Sequence, residues 1–384
     1  MSVEQRWISY SSIGQHRGCP QRWQYNYVQK LESTKEDSKV YLHFGMWWHA
    51  LRAIDSLQRG RDHGSLRWRP STITAVSEEV VFSPRDRDYT VDDVFVEATR
   101  WWNGLSMDAK EEWVNTLGES LPERLLYVDQ GWRAEHEQEL KNEHPLAVEF
   151  RWNRELTPTT MLLGYIDEVY LDTKRNLVVV RDHKTTKTLG TQTTLDDMMD
   201  SQLQLYAWGA SLEVSSWEMG KIQAVAYDRV RSLKPKTPRI TQTGTLSKSV
   251  TDFDLRTYVT WAQGEDGLGQ KFTGRRKDQS DGGRYAIEQS VIEQLSDPAA
   301  RSVWYQRTLT PLNRTLITTH LKAAKYTAEA MDATELQVQE TGEGGRNLSA
   351  GCRWCDFASL CRAQMLGGSD GEYELADHNL RKRD

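Results

Sequence analysis

The hydrophobic period of the chain changes four times. Residues 43–58, built on "FGMWWHALRAIDSL", repeat apolar positions one helical turn apart at Trp47, Leu51 and Ile54, and so predict a helix. Residues 20–30 predict another, opening on Pro20, whose missing N–H costs nothing in a first helical turn. Between about 60 and 145 the chain is polar and carries several tryptophans, with helical spacing near 91–104 and 122–140; this stretch reads as a helical insertion. The period then shortens to two. "AVEFRW" (147–152), "MLLGYIDEVYL" (161–171) and "LVVVRDHKT" (177–185) predict strands, the last two joined by the turn-like "DTKRN". "SQLQLYAWGASL" (201–212) returns to helix, "KIQAVAYDRV" (221–230) to strand, and residues 316–332 predict a further helix. Helices, then a strand, a hairpin, a helix and a strand predict an α/β fold: a central mixed β-sheet flanked by helices. One domain is expected over residues 1–365, with its core at about 146–230, followed by a polar, frayed tail over 366–384.

The predicted hairpin places chemistry. A turn centred near Lys174 pairs residues whose numbers sum to 348 or 349, which sets Asp167 opposite or next to Asp182. Two facing carboxylates in a sheet repel unless a cation lies between them, and oxygen ligands of this kind suit Mg²⁺ or Mn²⁺. Lys184, two residues beyond Asp182, projects from the same face of its strand. A metal cradle with an ammonium beside it meets the needs of phosphodiester hydrolysis; a solvated ion-pair cluster is the plainer alternative. His49 follows Gly45 by one turn, and the missing side chain at Gly45 would let that helix face approach the sheet closely. Gln202 and Tyr206, four apart, share a helix face and could hold a phosphate or a base, or merely cap the sheet.

Composition narrows the partners. The 384 residues include 15 Trp and carry a net charge of −6, so any nucleic-acid surface must be local. Local basic stretches exist at 59–70, 229–239 and 274–279, and Trp68, Trp101 and Trp102 are candidates for a stacking channel or for the core. No run approaches the roughly 20 apolar residues of a membrane span, and no charged-then-apolar leader opens the chain; the expectation is a cytoplasmic protein with no membrane partner.

All four cysteines lie near the ends of the chain: Cys19 before Pro20, and Cys352, Cys355 and Cys361 in "GCRWCDFASLCRA", spaced C-x2-C-x5-C. Four thiols make a complete metal-ligand set, while a disulfide framework suits small secreted chains and fits poorly here. Spacing alone leaves the metal open between zinc and iron–sulfur.

Together these landmarks resemble a family. "GCPQRWQY" with Cys19, "GMWWH" with His49, "GYIDEV" with Asp167, "RDHKT" with Asp182 and Lys184, "QLQLY" with Gln202 and Tyr206, and "CRWCDFASLC" follow the order of PD-(D/E)XK nucleases of the RecB and AddB type. Within them, the chain is similar to the iron–sulfur subgroup that includes the CRISPR-adaptation exonucleases. The resemblance implies a restriction-endonuclease-like core and a metal-dependent DNA exonuclease acting on single strands or DNA ends in recombination, repair or phage DNA processing. It implies Mg²⁺ or Mn²⁺ bound by His49, Asp167, Asp182 and the main-chain carbonyl of His183, with Glu149 a lower-ranked candidate. Lys184 would position the attacking water, and Gln202 and Tyr206 would support the site or touch DNA. Cys19, Cys352, Cys355 and Cys361 would carry a structural [4Fe–4S] cluster stapling the two ends. The alternatives are a non-catalytic DNA-binding or scaffold protein that kept the fold, and a structure-specific endonuclease with zinc in place of the cluster.

Overall fold

The computed structural model describes residues 5–34, 39–76, 79–189, 194–238, 253–263, 289–297, 301, 303–366 and 375–383. The basic stretch at 274–279 and the last residue of the one at 229–239 lie outside them. Among the described residues ten strands run in chain order: β1 Arg6–Ser9, β2 Leu31–Ser33, β3 Ile73–Val76, β4 Val80–Phe82, β5 Glu143–Thr157, β6 Thr160–Asp172, β7 Leu177–Thr186, β8 Ile222–Arg231, β9 Tyr305–Pro311 and β10 Leu380–Lys382. The α-helices are α1 Tyr10–Gly18, α2 Pro20–Trp23, α3 Lys39–Asp62, α4 Val91–Gly104, α5 Met107–Leu117, α6 Leu121–Leu140, α7 Thr194–Met199, α8 Ser201–Ser216, α9 Leu255–Gln263, α10 Gln289–Ser296, α11 Arg314–Thr341 and α12 Ala358–Met365. The expected helix over 20–30 is α2 continued by a π-helical turn, Gln24–Val28.

The expected mixed sheet forms with six strands, in the order β1-β6-β7-β8-β9, with β5 on the remaining edge of β6. β5–β6, β6–β7 and β8–β9 are antiparallel; β7–β8 and β1–β6 are parallel. β1 and β9 escaped the sequence reading. β1 is only four residues long, and its parallel partner lies some 150 positions away.

β5 runs along one whole edge of β6, so β1 and β7 must share the other. β1 pairs with Thr160–Leu163 and β7 with Glu168–Asp172. Between Leu163 and Glu168 neither strand completes the ladder, and the sheet opens a notch at Asp167.

Two apolar cores sandwich the sheet. On one face α8, α1 and α11 bury Leu203, Ala207, Ile13 and Ala328 against Phe150, Trp152, Val178 and Val180. On the other, α3, α4 and α6 bury Trp47, Trp48, Leu51, Val94 and Trp132 with Val148 and Val230. α8 can come so close because Gly209 leaves room for the Trp152 indole; a Cβ there would lie 2.2 Å from the ring. Trp101 and Trp102 pack part-buried around Trp113 at the edge of the α3 core.

On the α3 side the reverse of the hairpin holds buried charges that periodicity did not reveal. Arg181 reaches Glu143 (2.6 Å), Glu168 (2.7 Å) and Asp228 (3.3 Å), and Arg307 closes on Asp228 (2.6 Å) and Glu143 (2.8 Å). Arg59, from the first basic stretch, joins the group at Glu168 (3.1 Å) and is structural. These pairs bind β5 through β9 and α3 at a fixed register, because a charge left unpaired there would cost several kcal/mol.

The described part of the tail includes one short strand. Leu380–Lys382 pairs antiparallel with Leu31–Ser33, and Leu380 is buried with Tyr25, Phe357 and Leu360. One buried leucine and three ladder residues are enough to hold a segment that composition reads as frayed.

Candidate active site

The hairpin turn sets the register as predicted: Glu168 pairs with Arg181, a sum of 349, so Asp167 and Asp182 come next in line. There the strands part. Instead of continuing the ladder, the His183 N–H donates to Asp167 Oδ2 at 2.6 Å. His49 on α3 meets the same oxygen through Nδ1 at 3.2 Å. α3 sits close enough for this because of Gly45, where a Cβ would lie 3.1 Å from Thr185 Oγ1.

On the neighbouring strand the pleat changes phase. Val148 packs into the α3 core while Phe150, two residues on, packs into the opposite one. The residue between them, Glu149, takes up the change in a left-handed conformation, φ +47°, uncommon for a non-glycine residue and found where a side chain must be re-aimed. Its carboxylate joins those of the site: His49, Glu149 and Asp167 offer ligand atoms that all lie within 4.8 Å of one another. Glu149, ranked last by sequence, thus belongs to the tightest donor group. Its backbone torsion is invisible to hydrophobic period; the one available signal was an acidic residue in an apolar strand.

Asp182 stands outside that tight group. Lys184 Nζ donates to its Oδ1 (3.0 Å) and lies 2.8 Å from its Oδ2, while Gln202 Nε2 donates to Oδ1 (3.2 Å). Asp182 Oδ2 is nonetheless buried with no hydrogen bond of good geometry. Tyr206 hydrogen-bonds Gln202 and packs its ring on Trp152, so it supports the α8 side of the site from behind. The His183 imidazole is buried beside Trp132, lies 3.8 Å from Asp228 and meets the His49 ring edge-on, 6.4 Å between centres. Its own burial lowers its pKa to about 3, leaving a neutral ring.

The electrostatics register crowded acids. Burial, with the charge of Asp167 added, pushes Glu149 up to about 8. Burial and Asp167 likewise raise Asp182 to about 6 against the pull of Lys184. Burial opposes a charged imidazole at His49, yet hydrogen-bonded Asp167, with Asp182 and Glu149 beyond, pushes its pKa up to about 9. Burial also works against ionised Asp167, but His49 outweighs it and holds the carboxyl below its usual range. A glutamate that keeps its proton at neutrality, an aspartate raised toward it and a histidine that stays protonated describe a site short of positive charge. A divalent cation supplies that charge, and an imidazole nitrogen with carboxylate oxygens is a donor set that Mn²⁺ or Mg²⁺ accepts.

The family model of the PD-(D/E)XK nuclease superfamily matches residues 7–362. The chain belongs to that superfamily. No curated protein matches it. Membership makes the protein a nuclease of a class that acts on DNA with Mg²⁺ or Mn²⁺. The α/β architecture around the mixed sheet agrees with it. Among the described residues, no helix is long and apolar enough to cross a membrane.

The matched span also includes the cysteines. Cys19 precedes α2 as expected, and all four thiols line one cavity of about 490 Å³, none of them in a disulfide. They do not draw into a group as tight as the His49 triad. The ends of the chain are joined around them by other means. Gln21 N–H donates to Gly345 O (2.9 Å), Asn347 Nδ2 donates to Gly18 O (2.9 Å), and Tyr25, Leu31, Phe357, Leu360 and Leu380 form a small core.

Proposed function

We propose that this nuclease is a metal-dependent DNA exonuclease of the RecB and AddB type, acting in the cytoplasm on single strands or DNA ends in recombination, repair or phage DNA processing. The observation that carries the reading is the convergence of His49, Glu149 and Asp167 with Lys184, itself paired to Asp182, in a cleft of about 1060 Å³. His49, Glu149, Asp167 and Asp182 hold the Mg²⁺ or Mn²⁺, with the His183 carbonyl as a further ligand. When bound, the metal polarises the phosphate and acidifies a water. Burial works against a charged Lys184, but Asp182 and then Asp167 raise its pKa. The side chain therefore enters the site as an ammonium that orients a water or steadies phosphate charge, rather than as a base. Gln202 fixes this geometry by donating to Asp182 while its Oε1 faces Lys184 Nζ at 3.5 Å.

Cys19, Cys352, Cys355 and Cys361 carry a structural [4Fe–4S] cluster. What supports it is four thiols from both ends of the chain around one cavity. Anaerobically purified protein should be brown, with a broad visible absorption; colourless protein holding one zinc would overturn the cluster.

The nuclease reading is tested by incubating end-labelled single- and double-stranded DNA with Mn²⁺, Mg²⁺ or chelator. Stepwise shortening from an end that needs the metal and disappears in Lys184→Ala is expected. Equal cleavage by the variant would refute the mechanism, and DNA binding without cleavage by the wild type would favour the scaffold alternative.

A further inference from the structure

The floor of the cleft continues past the acids. In the β5–β6 register Arg151 lies opposite Tyr165, two residues along each strand from Glu149 and Asp167, or about 6.8 Å. Alternation sends Phe150, Trp152 and Ile166 into the core beneath, so Arg151 and Tyr165 face the cleft with His49 and Asp167. Tyr165 is 51 % exposed, and Arg151 is exposed as well. Among the described residues neither side chain has a hydrogen bond, ion pair or ring contact, although the cleft contains carboxylates. Trp68 also lines the cleft while its ring packs on Phe150, with an indole N–H that is buried and unpartnered and the Arg85 guanidinium 5.9 Å from the ring centre. On an open sheet face an exposed arginine beside a tyrosine would be unremarkable. Here the row is walled by α3 on one side and by residues 68–74 on the other.

We infer that the Arg151–Tyr165 row is a nucleotide subsite. The Tyr165 ring stacks the base of the nucleotide adjoining the phosphate at the acids, and Arg151 pairs with the neighbouring phosphate. A base stacked there has left its complement, so the strand on this floor is unpaired where it crosses the row. The inference rests on the nuclease reading and goes beyond it by assigning residues that hold substrate without touching the metal.

The test uses full-length Lys184→Ala protein with Mn²⁺ and fluorescein-labelled single-stranded oligonucleotides, read by anisotropy. A series carrying one abasic position, moved stepwise from the end, should show one position where binding weakens about tenfold, within the range for a lost stacking contact. Adding Tyr165→Ala should erase that dependence on position, and Tyr165→Phe should restore it. Adding Arg151→Ala should lower the slope of log affinity against log salt by about 0.7, the share of one phosphate contact on a single strand. Positional dependence unchanged in Tyr165→Ala, or a salt slope unchanged in Arg151→Ala, would overturn the subsite. The nuclease reading fails separately, when wild-type protein with Mn²⁺ leaves DNA uncut.

Discussion

The crowded acids make metal binding a proton-releasing reaction, and its size follows from the geometry. Near pH 7 His49, at about 9, is protonated; Glu149, at about 8, is mostly so; Asp182, at about 6, is mostly ionised. A cation held by His49, Glu149 and Asp167 must displace the first two protons, so Mn²⁺ uptake should release about two protons at pH 7. Its apparent affinity should then rise by about two powers of ten per pH unit around neutrality and level off above pH 9. Thermal stability should report the same linkage. Both groups have folded-state values above their ordinary ones of 4.5 and 6.5, so their contribution to the metal-free protein is complete below those values. It is lost as pH rises through about 8 and 9. The gain in melting temperature on adding Mn²⁺ should therefore grow from pH 6 to pH 9. Calorimetric titration in buffers of different ionisation enthalpy counts the protons, and Glu149→Gln should lower the count to about one. Binding without proton release, or a count that Glu149→Gln leaves unchanged, would refute the donor assignment.

Two substitutions separate positioning from folding. Gly45→Val places methyl groups against Thr185, so α3 and His49 should shift; cleavage should fall at least tenfold while circular dichroism keeps its helical signature. Arg181→Met leaves three buried acids, Glu143, Glu168 and Asp228, with only Arg307 and Arg59 to pair them, and chemical denaturation should show a loss of about 3–5 kcal/mol.

Where local rules sufficed, the site was legible in the sequence. The turn "DTKRN" and strict alternation placed Asp167 in line with Asp182, and Gly45 before His49 foretold the close seat of α3 on the sheet. What was missed depends on contacts far apart in sequence or on backbone torsions. β1 and β9 are short strands defined by their partners. Arg181 looks like any polar strand residue until three other strands close on it. Glu149 gains its place through a left-handed backbone that no residue pattern announces. Trp101 and Trp102, readable from sequence as a stacking channel or as core, pack part-buried around Trp113, with Trp101 also against Trp47.

Asp167 is the meeting point of the account, bound at once by His49 and by the His183 N–H. The most direct measurement is Mn²⁺ binding and DNA cleavage by Asp167→Asn, an isosteric change, alongside its melting curve. The account predicts that both activities vanish while the protein still unfolds cooperatively at a temperature close to that of the metal-free wild type. Cleavage at the wild-type rate by this folded variant would place the chemistry elsewhere.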